Sequence, residues 1–400
     1  MHAHGTMAYY EGLDENRTIP ASWMAAHYDF TEQSAYGGRH AKAFLAAGGT
    51  YAIAYTDPNL IPFCKAPFTR ANGEAPGACG GPMGSQLQSD ESAWLHDSGG
   101  GRLHVISDGP RKQGSWQERT NPMSATLRSV YRSYTAGIAD AGANAFLIDD
   151  ADPAYDTTYF HYKFGTLSKE LEALGGDADP SWLNGQAALA AAAVRPVFYN
   201  GGGAKALNLA FLAKPNVAGR MIENCASYPS YWAGNMDALL YTTETQRYAI
   251  CLNYGRTGTN APADRIFDLA SWYLTYDPKY SVIFNDLGAF SDGTTTYPEF
   301  AVAPTQPLTT ARDAAIATLR SSTGIYVREF ASCYQAGTSI GPCAALVNPD
   351  SKPHPLPALH DRYARRLTLD ARSWYSGGAA DWSSNIPAQL GPYSALILRG

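Results

Sequence analysis

Asp149 and Asp150 close the apolar run Ala145-Phe146-Leu147-Ile148, and Glu223 closes Gly219-Arg220-Met221-Ile222. Carboxyl groups at the ends of two separate apolar runs suit acid–base or nucleophilic chemistry, in which one group is charged and the other holds a proton. The apolar setting of Glu223, in the stretch MIENC, favours the protonated form that an acid needs. Successive side chains of a strand point to opposite faces, so Asp149 and Asp150 cannot both aim at one centre. Asp149 continues the Phe-Leu-Ile run directly and is the chemical candidate. Asp150 suits a hydrogen bond to a ligand hydroxyl or a helix cap, and Asp152-Pro153 reads as a turn.

The same punctuation recurs along the chain. Tyr28 and Asp29, Tyr55 and Asp57, Tyr199 and Asn200, Glu223 and Asn224, Asn253 and Tyr254, and Asn285 and Asp286 all close apolar runs. Singly, each suits a turn or cap. Together, phenols, amides and carboxylates with few basic groups suit a neutral, polyhydroxylated ligand. His96 and Trp232 are added as ligand-binding candidates. Trp94 and Trp116 could also stack on a sugar, whereas core packing is the reading for Trp272. The histidines include no HxxxH; His27 and His96 are dispersed, and neither a metal nor a cofactor is expected.

These residues need elements to hold them. Strand-like runs are read at Trp23–Phe30, Thr50–Pro58, Arg102–Asp108, Ala145–Asp150, Val197–Gly202, Gly219–Cys225, Tyr248–Gly255 and Tyr280–Asp286. Segments of helical period separate them: Ala35–Ala47, a helix opened by Asn121-Pro122, Gly185–Val194, Ala204–Leu212, Asp237–Thr243 and Ala263–Tyr276. Eight strand–helix units with near-continuous apolar strands predict an α/β fold, a (β/α)8 TIM barrel, whose active site lies at the carboxyl ends of the strands. A doubly wound sheet is the competitor, but the count of eight units favours the barrel. In the barrel Asp149 ends strand four and Glu223 strand six. After about residue 320, short strand-like runs without amphipathic helices predict a small antiparallel β-sandwich. The expected division is 1–318 for the barrel, with an insertion near 59–100, and 319–400 for the β domain.

Composition narrows the partners. The 400 residues are 45% hydrophobic and 16% charged, with net charge −6, which describes a globular chain. Lys and Arg read as scattered, so nucleic acid is not expected. No run reaches the length of a membrane span. Six cysteines without a CxxC predict disulfides: Cys64–Cys79 and Cys333–Cys343 as local staples, and Cys225–Cys251 by elimination. That pattern predicts a secreted or periplasmic protein whose leader has been removed, acting as a monomer. The match Gly337-Thr338-Ser339-Ile340-Gly341 to GxSxG lies among the short strand-like runs after residue 320, with no helical segment behind it, so it is not read as a nucleophile elbow; no P-loop is present.

The pieces FLIDD, VFYNGG, MIENC, ASWYLTYDP before SVIFND, and the tail REF…AALVNP…GPYSALILRG resemble barrel glycoside hydrolases, in particular the families related to α-galactosidases. The tail is similar to the small β domain that follows many such barrels. The resemblance implies hydrolysis of an oligo- or polysaccharide by two carboxylates, retaining the anomeric configuration, with Asp149 as nucleophile and Glu223 as acid/base. The clan usually carries Asp at the second position, so Glu223 is a departure. Two rivals remain: a carbohydrate-binding protein without turnover on the same scaffold, and a metal-dependent carbohydrate deacetylase.

Overall fold

The computed structural model describes residues 5–9, 19–33, 40–62, 81–96, 100–102, 104–106, 116–153, 180–227, 229–254, 261–285, 297–369 and 380–400. Its strands begin with β1 (Thr6–Tyr9), β2 (Phe30–Gln33) and β3 (Tyr51–Thr56). A three-stranded antiparallel excursion follows, made of β4 (Leu60–Pro62), β5 (His104–Ile106) and β6 (Trp116–Arg119). The barrel resumes with β7 (Ala145–Ile148), β8 (Val197–Asn200), β9 (Val217–Ile222), β10 (Tyr248–Asn253) and β11 (Ser281–Asn285). The barrel closes in the order β1-β11-β10-β9-β8-β7-β3-β2, and every pairing with a recorded register is parallel. This is the (β/α)8 barrel that the sequence predicts.

Burial explains why these segments are strands. All four residues of β7 are buried, as are five of the six in β10, which marks parallel strands covered on both faces. The helices among the described residues are α1 (Ala21–His27), α2 (Ala41–Ala46), α3 (Gly81–Leu87), α4 (Ala125–Ala141), α5 (Pro180–Ala192), α6 (Lys205–Leu212), α7 (Trp232–Glu244) and α8 (Pro262–Leu274). Helix α4 buries Leu127, Tyr131, Thr135 and Ile138 along one stripe. Its cap is Ser124, whose hydroxyl accepts from the Leu127 amide at 3.3 Å, while Asn121 holds a preceding turn through the Met123 amide. Gly142, at φ 128°, stops the helix.

Two predicted strands are corrected, and the errors cancel in the count. Trp23–His27 is helical: Trp23 and His27, four residues apart, stack with ring centroids 4.1 Å apart, and His27 Nδ1 lies 2.7 Å from the Trp23 carbonyl. An i, i+4 aromatic pair satisfies a helix as well as a short apolar run satisfies a strand. The strand starts only at Phe30, so His27 ends a helix rather than a strand. The first barrel strand is instead Thr6–Tyr9. At the other place, 104–106 pairs antiparallel with β6 outside the barrel, through His104 opposite Glu118 and Ile106 opposite Trp116.

The chain divides into two compact units, residues 1–33, 39–52 and 219–400, and residues 34–38 and 53–218. The second holds β7, β8 and the antiparallel excursion. In the first, a six-stranded antiparallel sheet is formed by β12 (Val302–Pro304), β13 (Tyr326–Gln335), β14 (Thr338–Asn348), β16 (Arg365–Leu369), β17 (Ala380–Ser383) and β19 (Ser394–Arg399), while β15 (His354–Pro355) pairs with β18 (Gln389–Leu390). Ile325, Ala344, Leu346, Leu390, Leu396 and Leu398 form its buried core. Cys225 is bonded to Cys251 and Cys333 to Cys343, as expected. Cys64 and Cys79 lie outside the described residues.

Candidate active site

Three strand exits of the second unit converge on Asp149. The register Thr56 opposite Ile148 and Ile148 opposite Tyr199 brings the ends of β3, β7 and β8 level. Tyr55 donates its hydroxyl to Asp149 Oδ2 at 2.6 Å. Asn200 Nδ2 donates to Oδ1 at 2.9 Å, and the Asp150 amide to the same oxygen at 3.0 Å. Asn59 Nδ2 reaches the Asp149 carbonyl at 2.9 Å and is itself held by Gln186 Nε2 at 2.9 Å. Asn59 and Gln186 are both buried, so this chain of amides is rigid. A carboxylate with three donors on its two oxygens has one orientation, which is what a nucleophile requires.

Asp150 turns away. It takes φ 49°, the left-handed region that Asp tolerates better than most residues, and its carbonyl accepts from Arg119 Nη2 at 3.2 Å. The Arg119 guanidinium lies 5.6 Å from the Trp182 ring centroid. Asp152, read as a simple turn, does more: its carboxylate accepts from the Gly202 amide and its carbonyl from Trp182 Nε1 at 2.9 Å. At Gly201 a Cβ would stand 2.8 Å from Ala151 C and O and from Asp152 N, so the chain after β8 requires glycine.

Asp57 supplies the contrast to Asp149. Its Oδ1 accepts the amides of Asn59 (3.1 Å) and Leu60 (2.9 Å). Burial, and then the charges of Asp150 and Asp149, push its carboxyl well above the usual range, against the lowering effect of Arg119. Burial, and then the Asp149 charge, likewise raise the Tyr55 phenol, which therefore stays a donor.

Glu223 belongs to the other unit. Its side chain is exposed; the apolar context of MIENC is carried by the buried Met221 and Ile222. The turn after it is closely tied. Asn224 takes φ 53°, the Cys225 amide donates to the Leu252 carbonyl at 3.0 Å, and the Ala226 amide to Asn253 Oδ1 at 2.9 Å. Asn235 Nδ2 donates to the Cys225 carbonyl at 3.1 Å, and Cys225 is bonded to Cys251.

The remaining candidates are dispersed. Asn253 is fully buried, with Oδ1 on Ala226 and Nδ2 3.4 Å from Cys251 Sγ, so it secures the Glu223 turn. Trp232 is corrected from ligand stacking to core: it is 1% exposed, its Nε1 donates to Ser271 Oγ at 2.9 Å, and it packs edge-on against Tyr326. Trp94 is similarly buried, with Arg102 over its ring. His96 pairs with Glu91 at 3.0 Å. Asp29 Oδ2 accepts the Gly5 amide at 2.6 Å, and Tyr28 is buried. Tyr254 follows β10 and Asn285 ends β11; Asp286 lies outside the described residues. Asn59, Gln186 and Arg119 escape the sequence reading. Asn59 carries a weak signal as the third residue of Asp-Pro-Asn after a strand, whereas Arg119 arrives from a distant antiparallel strand. Among the described residues no group of three His, Cys, Asp or Glu side chains is disposed to hold a metal.

No family and no curated protein sequence matches the chain. Among solved structures, the MUTB mutant from crystals soaked with trehalulose is similar at a TM-score of 0.51 and 9% identity, over 99% of both chains. The alpha-glucosyl transfer enzyme XgtA has a TM-score of 0.49 at 10% identity, over 99% of this chain and 98% of that one. Bacillus licheniformis trehalose-6-phosphate hydrolase has 0.48 at 8%, with the same coverage. At such identities the likeness is one of fold.

Proposed function

We propose that the chain is a glycoside hydrolase that cleaves an oligo- or polysaccharide with retention, using Asp149 as nucleophile and Glu223 as acid/base. The observation that carries this reading is the Asp149 carboxylate, held by Tyr55, Asn200 and its own following amide at the exit of the fourth barrel strand. In the first step an Asp149 oxygen bonds to the anomeric carbon while the glycosidic oxygen leaves with a proton from Glu223. In the second, water attacks that carbon, Glu223 takes its proton back and the Asp149 ester opens. Support for Glu223 is its place after the sixth strand and the four ties on the turn that follows it. Support for a sugar substrate is the barrel shared with the trehalulose-soaked MUTB mutant. The disulfides support export. The test is release of reducing ends from a panel of defined oligosaccharides by wild type, Asp149→Asn and Glu223→Gln. Loss of about three or more orders of magnitude is expected in both variants. Unchanged cleavage by either would remove that residue from its role, and sugar binding without any cleavage by wild type would favour a binding protein.

A further inference from the structure

Cations that look scattered in the sequence gather in the C-terminal sheet. Residues 362–372 contain Arg362, Arg365, Arg366 and Arg372 in a chain of net charge −6. The antiparallel pairing of β16 with β19 then sets Arg365 directly opposite Arg399. Like charges in directly opposed positions of a sheet destabilise it. Neither Arg365 nor Arg399 takes part in an ion pair recorded among the described residues, in contrast to Arg102, Arg265 and Arg320.

The pair is also built. In β16, Arg365 and Leu367 share a face, and Leu367 stands opposite Trp382 of β17. The Arg399 guanidinium lies over the Trp382 ring, 4.8 Å from its centroid, and the indole is fixed by its Nε1 hydrogen bond to Gln335 Oε1 at 2.8 Å. Arg399 Nε is buried without a hydrogen-bond partner, so stacking seats the flat group. Arg365 is exposed, and Arg362 beside it is exposed as well. A stacked guanidinium next to a second arginine presents paired N–H donors in the geometry that takes an oxyanion bidentately.

We propose that Arg365 and Arg399, seated against Trp382, form a binding site for the carboxylate or sulfate groups of an acidic polysaccharide, separate from the Asp149 site. The anionic group follows from the unpaired arginines. The polysaccharide rests on the glycosidase reading, and the site would hold a charged chain while the barrel works on it.

The test is affinity electrophoresis of the whole chain in gels containing polygalacturonate, its fully methyl-esterified form, dextran sulfate or dextran. Retardation by polygalacturonate or dextran sulfate but not by the neutral polymers is expected, and which of the two retards separates carboxylate from sulfate. Arg365→Gln with Arg399→Gln should weaken it by about tenfold or more, while Arg365→Lys should lie between because it keeps charge but loses the fork. Melting temperatures of the variants should not fall below wild type, and their cleavage of a neutral oligosaccharide should match it. Absence of retardation, or retardation unaltered in the double variant, overturns the proposal. So does equal retardation by double-stranded DNA that is lost in the same variants, since that marks a general polyanion surface. The assay needs no turnover, so it fails or succeeds independently of Asp149 and Glu223.

Discussion

Asp149 and Asp57 are aspartates of one unit with opposite surroundings: the first is met by three donors, the second by burial and two neighbouring negative charges. Tyr55→Phe removes the 2.6 Å donor from Asp149 and nothing from the fold beyond an oxygen. A hydrogen bond to a charged group contributes about 1.5–3 kcal/mol, so kcat on a cleaved oligosaccharide should fall by about tenfold to a hundredfold. Asp57 carries a stability prediction. Its folded-state pKa is raised, so the folded protein binds more protons than the unfolded chain above about pH 4, and stability falls as pH rises from there through the raised value. Asp57→Asn keeps the Oδ1 acceptor for Asn59 and Leu60 but abolishes the titration. Denaturant unfolding should show the variant gaining on wild type between pH 4 and pH 7; a constant difference would contradict the assignment. The placement of Asp149 at a strand exit was legible because the four-residue apolar run before it reads as a strand. Trp232 was misread because an aromatic near a strand exit looks alike in core and in cleft until its neighbours Ser271 and Tyr326 are known.

At the scale of elements, two turns fix the exits of β8 and β9. Gly201→Ala would push a methyl into the backbone of Ala151 and Asp152, moving the β7 and β8 exits apart. A cost of about 1–3 kcal/mol in unfolding experiments is expected, with a larger proportional loss of turnover because Asn200 moves with it. The turn after Glu223 depends on the Cys225–Cys251 bond, which closes a loop across 26 residues. Reduction, or Cys225→Ser with Cys251→Ser, should lower unfolding stability by about 3 kcal/mol and lower kcat more than it raises KM; equal stability with and without reductant would argue against that role. The longer helices, such as α4 and α8, were legible from their periodicity, whereas the seven-residue α1 passed for a strand and α3 was not read. The first strand was not legible, because Thr6–Tyr9 is four residues long and carries no alternation to read, and 104–106 passed for a barrel strand because a run as short as His-Val-Ile does not announce whether its partners run parallel or antiparallel.

For the whole molecule, the barrel was legible because β3 and β7 to β11 leave six apolar runs separated by helical segments, and the count of eight survived one omission and one false inclusion. The internal polar ties were not legible. Arg265 and Glu299 form a fully buried ion pair with the Tyr297 ring over the guanidinium, although 34 residues separate them. Burial raises the Glu299 carboxyl, and Arg265 offsets part of that. Removing one partner strands a buried charge, so Glu299→Ala should lose about 3–5 kcal/mol in chemical denaturation. The double replacement Arg265→Met with Glu299→Leu should recover most of it. No recovery would mean that the pair is needed for more than mutual compensation.

One shared trait of the two catalytic candidates has a consequence in chirality. Each is followed by a residue in left-handed backbone, Asp150 at φ 49° and Asn224 at φ 53°. That conformation is the natural one for the mirror-image enantiomer. D-aspartate at 150 or D-asparagine at 224, introduced by chemical ligation, should therefore enter with less strain than the native L-residue. The same exchange at Asp149 or Glu223, whose φ is negative, would reverse an ordinary backbone and disturb the carboxylates themselves.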